Sequence, residues 1–519
     1  MKPLTPEQLK ALEKLKTEIE KDIGVAVETA KYAKLFELLY FIYELKRHRL
    51  QKVYATDHGE QAVFIQFATN IVEESVKYSI QLIAKYYTPD LTFDKESKKP
   101  VINFKVTQLL DKQTTYINSK YESLSMVQLF IVTLMDPGAK KLKIDMSNVN
   151  SDIDAKKFFD YFLRIDRDND IKKSSTKMKY ELLKNFKEEY DPVGDLFQKA
   201  YSISVDEFCE FINKILERAK LIIEKTKHNF EFLPNGNVND QSFKTFLVFV
   251  PSFLINEREL ASFGKKYDNL VDLLTFKPDK YDEKQLRFHL ITRTPFIKVK
   301  KFFVISPELL LDSLFTNTHY SLLESTLVKE EYKARQANLY LDKLVSIASK
   351  YGYTEVEREK DLFEKGDQIG DIDLILKDKD GNFLLIEAKN HMLPMDIYFK
   401  DILKTREHLS YLQTKWEEKV LKRVAHLQSN HSQYGIPASY KYIVVSRFPE
   451  IISHYSNLLI LSTAEFEFWL SRSEWSDSFD VITTEFYKTH EDRFTKEDLE
   501  RLSESQIFFG NFGEKKADK

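Results

Sequence analysis

Apolar residues recur at three- and four-residue intervals through roughly the first 230 positions, the spacing of a buried helix face. Leu12, Leu15, Ile19 and Ile23 open the series, with Thr5 as cap and Pro6 in the first turn, and Gly24 is the expected stop. The same spacing predicts helices over about 30–50, 61–87, 151–163 and 205–225. Pro234-Asn235-Gly236-Asn237 is the clearest break. Beyond it, 245–250 reads as a short strand stopped by Pro251. Residues 296–305 read as a pair of strand-like pieces ending at Ser306-Pro307, and 308–315 as a helix.

From Val328 the pattern becomes regular. A helix runs to Tyr351 and is closed by Gly352; two strands follow, then a long charged helix over about 394–427. A strand over 440–446, another over 458–462 and a helix over 463–471 complete it. This order predicts an α+β multidomain chain. A mainly helical region, 1–233, leads through a small α+β connecting region, 240–327, to a C-terminal α/β domain, 328–475, and an extension, 476–519.

Composition narrows the possibilities. A chain of 519 residues exceeds one ordinary core, and 43% apolar content is enough to build several. With 78 basic and 81 acidic side chains there is no global pull toward nucleic acid, so any such surface must be a local patch. The single cysteine, Cys209, excludes an intramolecular disulfide and any multi-cysteine metal site, and its apolar neighbours suggest an inert buried thiol. The first residues lack the apolar core of a signal peptide, and the run over 35–45 is interrupted by Glu37 and Glu44. A soluble cytoplasmic protein with no membrane association is expected. Asp166-Arg167-Asp168-Asn169-Asp170 begins like a calcium loop, but Ile171 and Lys177 stand where glycine and glutamate are required. No phosphate-binding glycine loop and no HExxH word occurs.

The chemistry concentrates in two strand-like words, Gly370-Asp371-Ile372-Asp373-Leu374-Ile375-Leu376 and Phe383-Leu384-Leu385-Ile386-Glu387-Ala388-Lys389. Turn formers separate them. With Gly381 left-handed in a three-residue loop, Asp378 pairs with Asn382, Leu376 with Leu384 and Asp373 with Glu387. The two carboxylates then stand on one face, about 5 Å apart at Cβ. Lys389 points to the same face, and Ala388 to the opposite one, under a helix. Two hard carboxylates can hold Mg²⁺ with water and a phosphate, and a lysine beside that water can orient it or neutralise developing charge. Asp371 shares the face of Asp373 at the strand's edge, a position suited to a supporting or solvent role.

Asp373, the Glu387-Ala388-Lys389 word, the leading Gly370 and the later strand Tyr442-Ile443-Val444-Val445-Ser446 together resemble the PD-(D/E)xK nuclease superfamily, the restriction-endonuclease-like fold. The resemblance covers residues 328–469 only. It implies a Mg²⁺-dependent endonuclease, with Mn²⁺ able to substitute and DNA preferred over RNA. Asp373, Glu387 and the backbone carbonyl of Ala388 would hold the ion, and Lys389 would be catalytic. The family's first helix often carries a further acid; here it is Asp342, Glu330 or Glu331, or it is missing. Such nucleases occur with partner-specific domains in restriction and phage defence, so the helical region is expected to provide targeting, a protein partner or a trigger. A catalytically inert nucleic-acid-binding scaffold and a ligand- or partner-gated nuclease are the alternatives.

Lys400 and Lys404 lie on the charged helix, and Lys415, Lys419, Lys422 and Arg423 recur on one helix face. That stripe either follows a phosphate backbone or is a solvated face partly neutralised by Glu417 and Glu418. His391, directly after the second strand, reads as a polar loop residue.

Overall fold

The helix expected to stop at Gly24 runs on, Pro6–Ala30, and buries Ile19, Ile23, Ala26 and Val27 on both sides of the glycine. Their burial outweighs the glycine's cost of about 1 kcal/mol. The computed structural model describes residues 6–56, 62–86, 102–130, 153–174, 179–227, 238–287, 290–472 and 478–488. The Thr5 cap, the 234–237 break and most of the 476–519 extension lie outside them. The described chain forms two compact units, one from residues 9–124 and 178–332, the other mainly from 125–177 and 333–496.

The first unit is mainly helical, with Leu35–Thr56, Ala62–Tyr86 and Val205–Lys227 close to the expected spans. Residues 245–250 are not a strand: they lie in the helix Val238–Phe253, which carries Pro251 in its last turn. Phe246, Val250 and Phe253 are buried at helical spacing. A short apolar run fits either period, and only the full 16-residue helix resolves it. The pieces over 296–305 are an antiparallel pair, β2 (Phe296–Val299) and β3 (Phe302–Ile305), and β1 (Leu254–Asn256) pairs with β3. The following helix, Pro307–Glu324, is capped by Ser306.

The second unit is built on a mixed five-stranded sheet, β4-β5-β6-β7-β8. The helix Lys329–Ser349 leads into it, and Gly352 takes the left-handed backbone that ends the turn. Three strands follow instead of two. β4 (Thr354–Glu364) is an edge strand whose side chains are largely polar and exposed, so it lacks the apolar alternation of its partners. β5 (Asp367–Lys377) and β6 (Phe383–Lys389) pair antiparallel, while β7 (Tyr440–Ser446) and β8 (Leu459–Ser462) extend the sheet in parallel from β6.

The long helix expected over 394–427 is broken. It consists of Met395–Tyr398, Ile402–Tyr411 capped by Asp401, a π-helical turn Leu412–Glu417, and Glu418–Asn430. Lys400, in a left-handed conformation, marks the first break. The sheet is covered on both faces. Leu374, Leu384, Ile386, Ile443 and Val445 pack with Leu344 and Trp469 on one side. Val444 and Ile460 pack on the other with Ile402, Val420 and the helix Ile153–Ser174. That helix, inside the 1–233 span of the sequence, therefore contributes to the core of the sheet unit. Among the described residues no helix is long and apolar enough to cross a membrane.

Candidate active site

The β5–β6 hairpin has the register that its sequence implies. Leu376 pairs with Leu384 and Leu374 with Ile386, and the same register places Asp373 opposite Glu387. Gly381 is left-handed, its amide donates to the Asp378 carbonyl, and the Asp378 side chain accepts from the amides of Asp380 and Asn382. Ala388 packs with the Leu344 side of the sheet. Glu387 and Lys389 alternate with it, so they face the helices Ile402–Tyr411 and Glu418–Asn430.

Asp373 Oδ2 accepts from the Ala388 amide at 2.6 Å. Glu387, only 2% exposed, is held by three donors. Lys389 Nζ lies 2.6 Å from its Oε1, while Arg423 at 2.6 Å and the Tyr442 hydroxyl at 3.2 Å donate to Oε2. Burial and the nearby Glu387 charge push Asp373 up to about 6. Lys389 opposes that shift, and the Asp371 charge adds to it. Burial, with the Glu387 charge behind it, also keeps the Tyr442 phenol protonated well above its ordinary value. The hairpin thus brings Asp373, Glu387 and Lys389 together, and a divalent cation would relieve the repulsion between the carboxylates. The donor set fits a hard cation in this respect, with one difference: Arg423 already partly neutralises Glu387.

Arg423 departs from the exposed stripe expected of it. It is buried, whereas Lys415, Lys419 and Lys422 are exposed, and Lys422 lies 3.4 Å from Glu364. The π-helical turn inserts an irregularity between Lys415 and Lys419, so an ideal helical period no longer describes the face. Asp371 sits 3.8 Å from Arg423 and is 39% exposed, in keeping with a supporting position. Gly370 has φ 125°, and a Cβ there would lie 2.7 Å from the Arg423 guanidinium, so the glycine makes room for this arginine. Asp342 is paired at 2.8 Å with Arg358 on β4 and is 56% exposed; it is not among the groups that set the ionisation of Asp373. Glu330 and Glu331 lie in the first turn of the same helix, Glu331 3.6 Å from Lys199.

Sequence reasoning missed Trp416, Tyr442 and a histidine cluster. Lys389 Nζ is 5.7 Å from the Trp416 ring centre, a cation–π distance that the π-helical turn sets. Tyr442 was visible as a strand residue, but its role depends on the β6–β7 pairing. His391, expected as a loop residue, lies with His408 and Glu450 in one cluster. Burial opposes ionisation of Glu450, but the two histidines outweigh it and hold its pKa below the ordinary value. Burial likewise disfavours a charged His391, but the Glu450 carboxylate outweighs it and raises the pKa. Cys209, expected as an inert buried thiol, is half-buried, and burial pushes its pKa up to about 11. No protein-family model, curated protein or solved structure matches this chain.

Proposed function

We propose that the sheet unit is a restriction-endonuclease-like domain that hydrolyses nucleic-acid phosphodiesters, DNA by preference, with Mg²⁺ as cofactor. The convergence of Asp373, Glu387 and Lys389 on one sheet face carries this reading. Asp373, Glu387 and the Ala388 carbonyl would hold the ion. When bound, it would polarise the phosphate and acidify the attacking water. The Ala388 amide fixes one oxygen of Asp373, and Tyr442 and Arg423 fix one oxygen of Glu387. Lys389 orients the water and neutralises charge on the phosphate oxygens, while Trp416 limits where its ammonium can go. The helical unit supplies targeting or a trigger, in keeping with nuclease-plus-partner architectures in phage defence.

The Arg423–Glu387 pair favours a second reading, an inert nucleic-acid-binding scaffold in which the arginine replaces the cation. Mn²⁺ calorimetry and plasmid nicking separate the two. The nuclease reading expects Mn²⁺ binding that Asp373→Ala removes and Lys389→Ala retains. It also expects nicking to fall by about 100-fold or more in Lys389→Ala, the scale for losing one charge-stabilising group. Mn²⁺ binding unaffected by Asp373→Ala, or nicking that survives excess chelator, would overturn it.

A further inference from the structure

We propose that His391, His408 and Glu450 form a second cation site, for one divalent transition-metal ion of the zinc class. It is independent of the carboxylate pair and of the nuclease reading. Each residue directs one ligand atom into the cluster, and these atoms all lie within 4.8 Å of one another. They come from three separate segments: the chain leaving β6, the helix Ile402–Tyr411, and the residue preceding the turn Ile451–His454.

The cluster is satisfied in part: the His408–Glu450 contact is a hydrogen bond, whereas the His391–Glu450 contact is not an aligned one. His408 Nε2 lies 3.1 Å from one Glu450 oxygen. His391 Nε2 lies 2.5 Å from the other, yet it is buried without an aligned hydrogen bond. Two ligand atoms each about 2.1 Å from a tetrahedral zinc ion stand roughly 3.4 Å apart. Both nitrogen–carboxylate separations are shorter than that value, so side-chain rotations must move each imidazole nitrogen away from the carboxylate, His391 the further.

Ligand chemistry selects the ion. Two imidazoles and one carboxylate suit Zn²⁺, Co²⁺ or Ni²⁺, whereas Mg²⁺ prefers oxygen donors and retains its water. One carboxylate balances half the charge of such an ion, and the remaining coordination position is for water. His391 is the more accessible edge, with its side chain 36% exposed against 14% for His408 and 5% for Glu450. Because His391 follows Lys389 by two positions, an ion here clamps the end of β6 to the helix Ile402–Tyr411 and to the segment after β7.

The test uses the full chain after chelator treatment, titrated with CoCl₂ and followed by its visible absorption and by calorimetry. One Co²⁺ per chain is expected in Asp373→Asn, displaced by ZnCl₂ and raising Tm, with a second ion in wild type assigned to the carboxylate pair. His391→Ala and His408→Ala should each weaken the histidine site by more than about 100-fold, since losing even groups that only orient ligands costs 10–100-fold. Asp373→Asn should leave it intact. Wild type that takes up no stoichiometric Co²⁺ overturns the proposal, as does uptake unchanged in both histidine variants. Loss of uptake in Asp373→Asn alone overturns it too, by assigning the ion to the carboxylate pair. Because His391 is partly exposed, its variant should fold even if the His408 variant does not.

Discussion

Arg164 meets Glu465 through two hydrogen bonds, 2.8 and 2.7 Å, with side chains 3% and 0% exposed. In the same unit Asp373 meets Glu387, a like charge. The first group is closed. Arg164 also donates to Ser453, its guanidinium lies over Phe479, and Glu465 completes a capping box with Ser462. The second group sets three carboxylates, Asp371, Asp373 and Glu387, against two cations, Lys389 and Arg423, and burial with the Glu387 charge pushes the Asp373 pKa up to about 6. Complementary charge that satisfies its own hydrogen bonds holds a fold together, whereas like charge forced together costs stability, a cost that a bound cation would offset.

The largest effect expected from this contrast is at the closed group. Arg164→Met leaves Glu465 buried without its cation and should cost about 3–5 kcal/mol in urea unfolding. A loss below about 1 kcal/mol would show that the pair is not an anchor. Arg423→Met should cost less, about 2 kcal/mol, because Lys389 and Tyr442 still reach Glu387. Here the contrast predicts a rescue: Mn²⁺ should restore the Arg423→Met melting temperature and bind more tightly than to wild type. If Mn²⁺ stabilises wild type and variant equally, the arginine and the ion do not compete.

Asp373→Asn should change stability in the opposite direction. The folded-state pKa of about 6 exceeds the ordinary 3.8, so the wild-type carboxyl stabilises the fold fully below about 3.8 and loses that contribution as pH rises through 6. The asparagine carries no such penalty and can still accept from Ala388. In chelator at pH 8 it should gain about 1–2 kcal/mol, shrinking toward zero between pH 6 and 4. Thermal melts of both proteins across that range check it, and a gain independent of pH would mean that repulsion is not its source.

The hairpin was legible because its information is local. Gly381, the turn formers and the aliphatic alternation specify a register, and register decides which side chains share a face. The residues around the pair depend on distant pairings. Arg423 reaches Glu387 through a helix whose period is interrupted by a π-helical turn, and Tyr442 does so through a parallel crossover. Gly370 was noticed as a family feature, but its physical reason is the arginine packed against it. His391, His408 and Glu450 meet only in three dimensions. Local pattern misled in the connecting region, where 245–250 fits either period, and it concealed β4, whose polar side chains suit an edge.

The smallest effect concerns Asp342. If the first helix supplied a third acid to the site, its removal should weaken Mn²⁺ binding as Asp373→Ala does. Its carboxylate instead lies 2.8 Å from Arg358, in a pair 56% and 28% exposed, where water and salt screen the attraction. Arg358 also keeps a second partner, Glu355, through hydrogen bonds of 2.7 and 2.8 Å, so it is not left alone when Asp342 is replaced. Asp342→Ala should therefore alter unfolding free energy by no more than about 0.5 kcal/mol and leave Mn²⁺ affinity at the wild-type value. Calorimetry on this variant beside Asp373→Ala is the discriminating measurement. A tenfold or greater loss of Mn²⁺ affinity in Asp342→Ala would mean that the helix acid joins the site when the ion is bound, and that the Arg358 pair belongs only to the metal-free protein.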